Sequence, residues 1–456
     1  MTLKACPRRL VLELLLGEGL PPSRRFPVAA DKFGLEGADR SLARQMLLGV
    51  LRHGITLDQV AQAYAKKRIR DPALCWTLRL GLYQLFYLDS VPDHAAVNET
   101  LGAARSLIRG KSGFANGVLR SAQRGSSLSR AGEAREASFF LEGESRSWVF
   151  DRRIFPDAEA DAVTHNARLH GFPDWLARKW FRDVGEAVSV GRMQALNKKS
   201  PLWLRVNPLR SDRTSIRRTL EAVGLEAQEG SHELSLVVTG NRGPIANLPG
   251  FSDGAWSVQD ISALEATAQG LLAPGERMLD LCAAPGGKSF AAFELAGGEA
   301  EVVSCDISAS RLASLEDDAK RLGHKIATCV LDSRYSNIPR GPWDLVLMDV
   351  PCTNTGVLDR RLEARHRLHK KSVHDACTIQ NLIRKQALPL VQGPGTRILW
   401  STCSLEPEEN EEMVERLARK GNLEIVSQAR FEPDNSRSGG YASLLAPAAQ
   451  VREARE

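Results

Sequence analysis

From about residue 250 onward, short apolar runs alternate with helix-length segments, and this alternation limits the fold more than any other feature. The runs are 277–283 (RMLDLCA), 301–307 (EVVSCDI), 325–332 (KIATCVLD), 343–350 (WDLVLMDV) and 396–403 (TRILWSTC). Each is too short for a core helix and is nearly continuous in Val, Leu and Ile, which predicts strands buried on both faces. Strands of that kind with helices between most of them predict an α/β domain over 251–447 built on a parallel, doubly wound sheet.

The preceding half of the chain reads differently. Residues 1–125 are all-helical by pattern, with apolar positions three and four apart in 39–65, 76–88, 95–108 and 114–124, and predict a helical bundle. Residues 126–165 are rich in Ser, Gly and Glu and predict a linker with at most one helix. Residues 166–250 mix a helix at 173–185 with strands at 202–208 and 234–240, predicting a small α+β subdomain. Residues 1–125 hold 19 Lys and Arg against 10 Asp and Glu, a net +9, so the other residues carry −3 of the total of +6. A basic first domain suits a polyanion as partner, although a solvated basic surface has the same composition.

No uncharged apolar run reaches the ~20 residues a membrane helix needs. The opening MTLKACPRRLVLELLLGEGL contains Glu13 and lacks a small-x-small cleavage site, so it predicts an amphipathic helix rather than a signal peptide. The eight cysteines include no CxxC pair. That excludes a zinc ribbon and a dense disulfide framework, predicts no metal, and fits a reducing cytoplasm.

After the first strand comes 280–289, DLCAAPGGKS, a glycine-rich turn opening a helix. A phosphate-binding P-loop ending at Gly287-Lys288-Ser289 would need glycine where Cys282 stands, and the adjacent Gly286 and Gly287 do not spell GxGxxG. What remains is a tight turn bringing backbone N–H groups close to a ligand at a helix N-terminus. Asp306 ends the second strand 20 residues after Gly286, Asp332 the third and Asp349 the fourth. Carboxylates at three successive strand ends, one of them placed for ribose hydroxyls, suit a nucleoside without pyrophosphate: S-adenosyl-L-methionine rather than NAD.

Two cysteines end the last two strands of this set, in 349–356 (DVPCTNTG) and 400–410 (WSTCSLEPEEN). DLCAAPGGKS, DVPCTNTGVLDRR and WSTCSLEPEEN resemble the signature blocks of the RNA cytosine-C5 methyltransferases of the NOL1/NOP2/Sun (Fmu) group. Residues 76–100 and 113–120 resemble the NusB-like RNA-binding domain carried by one member of that group, and 202–213 resembles its middle region. The resemblance implies an all-α NusB-like bundle joined to a Rossmann-like methyltransferase domain. It implies a cytoplasmic enzyme acting on RNA, with 16S ribosomal RNA or an assembling small subunit expected ahead of transfer RNA.

Carbon 5 of cytosine is a poor nucleophile until a thiolate adds at carbon 6. The resemblance makes Cys403 that thiolate, Cys352 the residue that assists product release, and Asp349 the acid at the cytosine N3 edge. It carries cofactor contacts onto Cys282, Ala283, Ala284, Pro285, Gly286, Gly287 and Lys288 and onto Asp306, Asp332 and Asp349, with Arg311 secondary. Where the group shows PCSGTG this chain has PCTNTG, Trp400 replaces a tyrosine, and RLEARHRLHKK (361–371) replaces a His-Pro-Asp-type stretch. PEEN (407–410) predicts the first turn of a helix, with Pro407 at its first position. DNA cytosine methylation with Cys352 as nucleophile, and a non-catalytic ribosome-assembly factor, are the other readings the sequence leaves open.

Overall fold

The protein is described by a computed structural model covering residues 6–129, 136–143, 146–240, 243–391 and 395–448. It divides into two compact units, residues 1–197 with 361–370, and residues 198–360 with 371–456.

The first unit is a helical bundle of α1 (Pro7–Leu16), α2 (Pro22–Lys32), α3 (Gly37–Tyr64), α4 (Pro72–Tyr87), α5 (Asp93–Ala104) and α6 (Ser112–Arg124). Local chemistry sets the start of α4: the Asp71 carboxylate caps Leu74 N at 2.8 Å and Pro72 begins the helix. The expected linker is corrected here. It carries β1 (Ser126–Leu128), β2 (Phe140–Glu142) and β3 (Ser147–Phe150), ordered β1-β3-β2. Leu141, Trp148, Phe150, Ile154 and Phe155 are buried in the same core as the helices, and the Trp148 indole donates to Phe86 O at 3.0 Å. Polar composition concealed a few large apolar anchors. Helices α7 (Ala162–Leu169) and α8 (Asp174–Asn197, broken at Gly185 with φ 77°) group with this unit.

Residues 361–370, carrying the short helix Ala364–Arg367, complete the same unit. Leu362 enters the helical core. Arg365 is 1% exposed and donates to Leu196 O (2.5 Å), Asn197 Oδ1 (2.6 Å) and Arg52 O (3.3 Å). The departure at RLEARHRLHKK is therefore a docking segment.

The second unit begins with an antiparallel sheet of β4 (Leu202–Val206), β5 (Glu226–Glu229), β6 (Ser235–Thr239) and β7 (Trp256–Val258), ordered β5-β6-β4-β7 and packed on α9 (Arg213–Glu221). After α10 (Ile261–Ala268) comes the large sheet. Its parallel strands are β8 (Arg277–Asp280), β9 (Glu301–Asp306), β10 (Ile326–Val330), β11 (Leu345–Asp349) and β12 (Arg397–Thr402), the runs expected from sequence. Two antiparallel strands, β13 (Leu423–Phe431) and β14 (Gly440–Pro447), extend it to the order β10-β9-β8-β11-β12-β14-β13. Alternate β11 residues feed opposite cores: Val346 and Met348 pack with Ile383 and Met413, Leu345 and Leu347 with Phe293 and Ala292. The order reverses between β8 and β11, the place where α/β sheets bind ligands. Among the described residues no helix is long and apolar enough to cross a membrane, and no cluster of His, Cys, Asp and Glu is placed to hold a metal ion.

Candidate active site

Strand β8 ends at Asp280, and the 282–287 turn leads into α11 (Gly287–Leu295). Gly286 has φ 106°, and a Cβ there would lie 2.5 Å from Phe290 Cζ and 2.8 Å from Leu315 Cγ, so only glycine fits. The turn is held against the next strand: Ala283 N donates to Cys305 O at 2.8 Å and Ala284 N to Asp306 Oδ2 at 3.3 Å. Arg311, on α12 (Ala309–Leu322), donates to Ala284 O and lies 3.2 Å from Asp306 Oδ2. Asp306 is buried at the end of β9. Asp332 stands two residues beyond β10, is exposed, and accepts from Arg334 N (2.8 Å), Ser336 N (3.1 Å) and the Ser336 hydroxyl. Its carboxylate organises its own loop.

The turn brings Lys288 onto the end of β11, where its Nζ is 2.9 Å from Asp349 Oδ2. Burial works against the ammonium, but Asp349 and Cys403 outweigh it and hold the Lys288 pKa above its ordinary value. The ends of the neighbouring strands β11 and β12 bring the two cysteines together, with Cys352 Sγ and Cys403 Sγ 3.2 Å apart. The contact with Cys403, and then burial, push the Cys352 thiol well up, so it keeps its proton at neutral pH. Asn354 spans the pair: its Nδ2 donates to Cys352 O at 2.7 Å, which leaves Oδ1 to face Cys403 Sγ at 3.3 Å. Its φ of 62° is one that asparagine tolerates better than most residues, so the change from glycine keeps the turn and adds a polar partner for the thiol. Gly356 makes the close crossing possible, since its N donates to Cys403 O at 3.0 Å and a Cβ would lie 2.5 Å from Gly439 O.

Several residues here had no role in the sequence reading. Asp280 is fully buried, accepts from the Ser289 hydroxyl at 2.7 Å and Cys282 N at 3.2 Å, and is pushed up to about 7, chiefly by burial. It was a fourth acid at a strand end, visible as a residue but not as a buried brace. Trp400 is fully buried in the sheet core and its indole N–H donates to Glu409 O at 3.2 Å, so this change lies behind the cysteines, in the core. PEEN is corrected too: Pro407–Asn410 form a turn, and the helix that follows starts at Glu411 and ends at Gly421. Asn410 accepts from the Thr402 hydroxyl at 2.5 Å and donates to Ser404 O at 2.9 Å, enclosing Cys403 from both sides in sequence.

Arg205, on β4, braces α11. It donates to Glu294 through Nε (2.6 Å) and Nη2 (3.1 Å) and to Gly287 O through Nη1 (2.9 Å), with both side chains buried. Removing one partner strands the other charge in the core. Arg205→Ala is expected to destabilise this unit by about 3–5 kcal/mol, seen as a lower urea midpoint. A midpoint equal to wild type would mean that Glu294 is relieved by other means.

Family models match in three places: 16S rRNA methyltransferase RsmB/F over residues 270–453, the NusB family over 20–124, and the RsmF/B-like ferredoxin-like domain over 172–241. The ribosomal RNA small subunit methyltransferase B of Shigella sonnei is 31% identical over 410 residues, covering 88% of this chain and 86% of that protein. Its counterpart in Escherichia coli O127:H6 is 30% identical over 409 residues, again covering 88% and 86%. The crystal structure of PH0851 superposes with a TM-score of 0.76 at 22% identity, over 98% of this chain and 99% of that one. A methyltransferase homolog protein from Pyrococcus horikoshii gives 0.56 at 22%, over 63% and 99%. At that identity the two structures speak for the fold. The curated relatives speak for descent, and the chain belongs to the RsmB/F family of 16S rRNA methyltransferases.

Proposed function

We propose that this protein transfers a methyl group from S-adenosyl-L-methionine to carbon 5 of a cytidine in RNA, 16S ribosomal RNA first among candidates, through a covalent Cys403–carbon 6 bond. The observation that carries the proposal is the pair of thiols 3.2 Å apart at neighbouring strand ends, with the Lys288–Asp349 pair on the adjoining turn. The residues suit the cofactor. The first turn of α11 aims its backbone N–H groups at the switch point, and among the described residues Asp306 Oδ1 receives Ser308 N alone (2.9 Å), keeping a lone pair for a ribose hydroxyl. Ile307, half exposed beside it, offers an apolar face to a purine. Asp332, busy with its own loop, stays a candidate for the cofactor's outer edge. Bound there, S-adenosylmethionine supplies the electrophilic methyl group that carbon 5 accepts.

In this reading Cys403 Sγ adds to carbon 6 and makes carbon 5 nucleophilic. Asp349 hydrogen-bonds the N3 edge, and the Lys288 ammonium beside it stabilises the electron-rich ring. After methylation the carbon 5 proton passes to solvent water, the C5–H electron pair restores the ring double bond, and the C6–S pair leaves on Cys403. Cys352, whose thiol keeps its proton, donates to the departing sulfur. The basic helical unit and the β4–β7 region would hold the RNA through phosphate contacts, with the target base turned out of its stack.

RNA made with 5-fluorocytidine tests this directly, because fluorine cannot leave carbon 5 as a cation and the adduct stays on the enzyme. The expected result is a stable protein–RNA complex, dependent on S-adenosylmethionine, mapped by mass spectrometry to the peptide containing Cys403. Mapping to Cys352 would move the nucleophile to the DNA-enzyme position. Methylation of ordinary RNA without any trapped complex would reject the covalent route.

A further inference from the structure

The acids of PEEN have no part in the chemistry above, yet Glu409 is fully buried beside it. Its carboxylate accepts from Thr353 N (2.9 Å), the Thr353 hydroxyl, the Ser404 hydroxyl (2.7 Å) and Gln380 Nε2 (3.0 Å). Thr353 directly follows Cys352 and Ser404 directly follows Cys403, so one carboxylate grips the residue after each cysteine. Gln380, on the helix Ser372–Ala387, also donates to Pro351 O at 2.9 Å and so holds the residue before Cys352. Glu409 is itself fixed from behind by the Trp400 indole on its carbonyl and by its own N–H on Glu406 O at 3.1 Å.

We infer that Glu409 is a positioning residue that sets the Cys352–Cys403 spacing by clamping both loops on one buried carboxylate. The inference rests on the reading of Cys403 as nucleophile and Cys352 as release residue for its consequence, but not for the spacing itself. A carboxylate suits the post because it is all acceptor, and four donors converge on it. Burial pushes its pKa up, and the bonds from Thr353 and Ser404 oppose that rise. Glutamine keeps the shape but turns one oxygen into an NH2 group. That group falls on the Oε1 side, where the Thr353 and Ser404 hydroxyls can no longer donate and must turn to accept, so the charge-assisted grip on the residue after each cysteine is lost and the two loops loosen.

Two measurements on Glu409→Gln test the clamp, each beside wild type and Cys352→Ala. The first is steady-state covalent adduct on unmodified RNA. Misplacing Cys352 should lower turnover about 100-fold while adduct accumulates as it does in Cys352→Ala, with S-adenosylmethionine affinity within about twofold of wild type. A merely destabilised enzyme would lose turnover without accumulating adduct. The second is closure of the Cys352–Cys403 disulfide by diamide, an azo oxidant that takes two electrons and two protons from the thiols, followed by peptide mapping. Closure should slow at least about tenfold in Glu409→Gln. Equal closure rates would overturn the inference. If closure slows but Cys352→Ala accumulates no adduct, the clamp stands and the release role of Cys352 falls. If Glu409→Gln does not fold, Ser404→Ala, which removes one hydroxyl and keeps the carboxylate, should slow closure about three- to fivefold, and unchanged closure there overturns the inference equally.

Discussion

Replacing Cys403 by serine is expected to abolish methylation, by at least about 10⁴-fold, and to abolish every covalent protein–RNA complex, while cofactor affinity and thermal stability stay near wild type. The size follows from the place of the proposed nucleophile at the start of the sequence of bond changes: without the carbon 6 bond, carbon 5 would have no electron pair to offer, and later residues would have nothing to act on. Serine fills nearly the same space and can still meet Asn354, so the loop keeps its shape, but a hydroxyl is almost never ionised at neutral pH. Cys352 cannot substitute: with the Cys403 thiol gone, burial and the Glu409 carboxylate still hold its proton on. Radiolabelled methyl transfer together with a gel assay for the adduct would check the outcome. Methylation persisting within about tenfold of wild type, or an adduct formed by the serine variant, would show that Cys403 is not the nucleophile.

What the sequence made legible here follows from range. The strands and the 282–288 turn are written in consecutive residues, and their periodicity and glycines were enough to place them. The antiparallel β14 was not legible, because it is buried from Gly440 to Ala446 and carries no alternating pattern. Residues 361–370 gave no warning that they leave their neighbours in sequence: the partners of Arg365 are 168 to 313 positions away. PEEN misled for a chemical reason. Proline and acids do favour a helix start, and they stand just before one, but Glu409 turns inward to donors 5 to 56 residues distant. The site reading reached the residues that share a short block with the cysteines and stopped at those that hold the blocks together.

The 282–288 turn, proposed above to hold S-adenosylmethionine, gives the second large effect. Gly286→Val is expected to weaken S-adenosylmethionine binding about 100-fold or more, with Gly286→Ala intermediate, as measured by calorimetric titration. Two costs arise independently. At φ 106° any side chain is strained, and a β-branched one most, by about 1–3 kcal/mol. The added Cβ also falls 2.5 Å from Phe290 and 2.8 Å from Leu315, residues of a packed core that can give only a few tenths of an ångström. The chain can relieve both by moving the turn outward. That breaks Gly286 N to Ala283 O (2.7 Å) and Ala284 N to Asp306 (3.3 Å), and carries the start of α11 and Asp306 out of register. A loss of 2.7 kcal/mol corresponds to about 100-fold in affinity, within the sum of the two costs. Affinity for Gly286→Val within about threefold of wild type would show that the turn does not hold the cofactor. Weakened binding with an unchanged melting temperature would place the whole cost on the bound state.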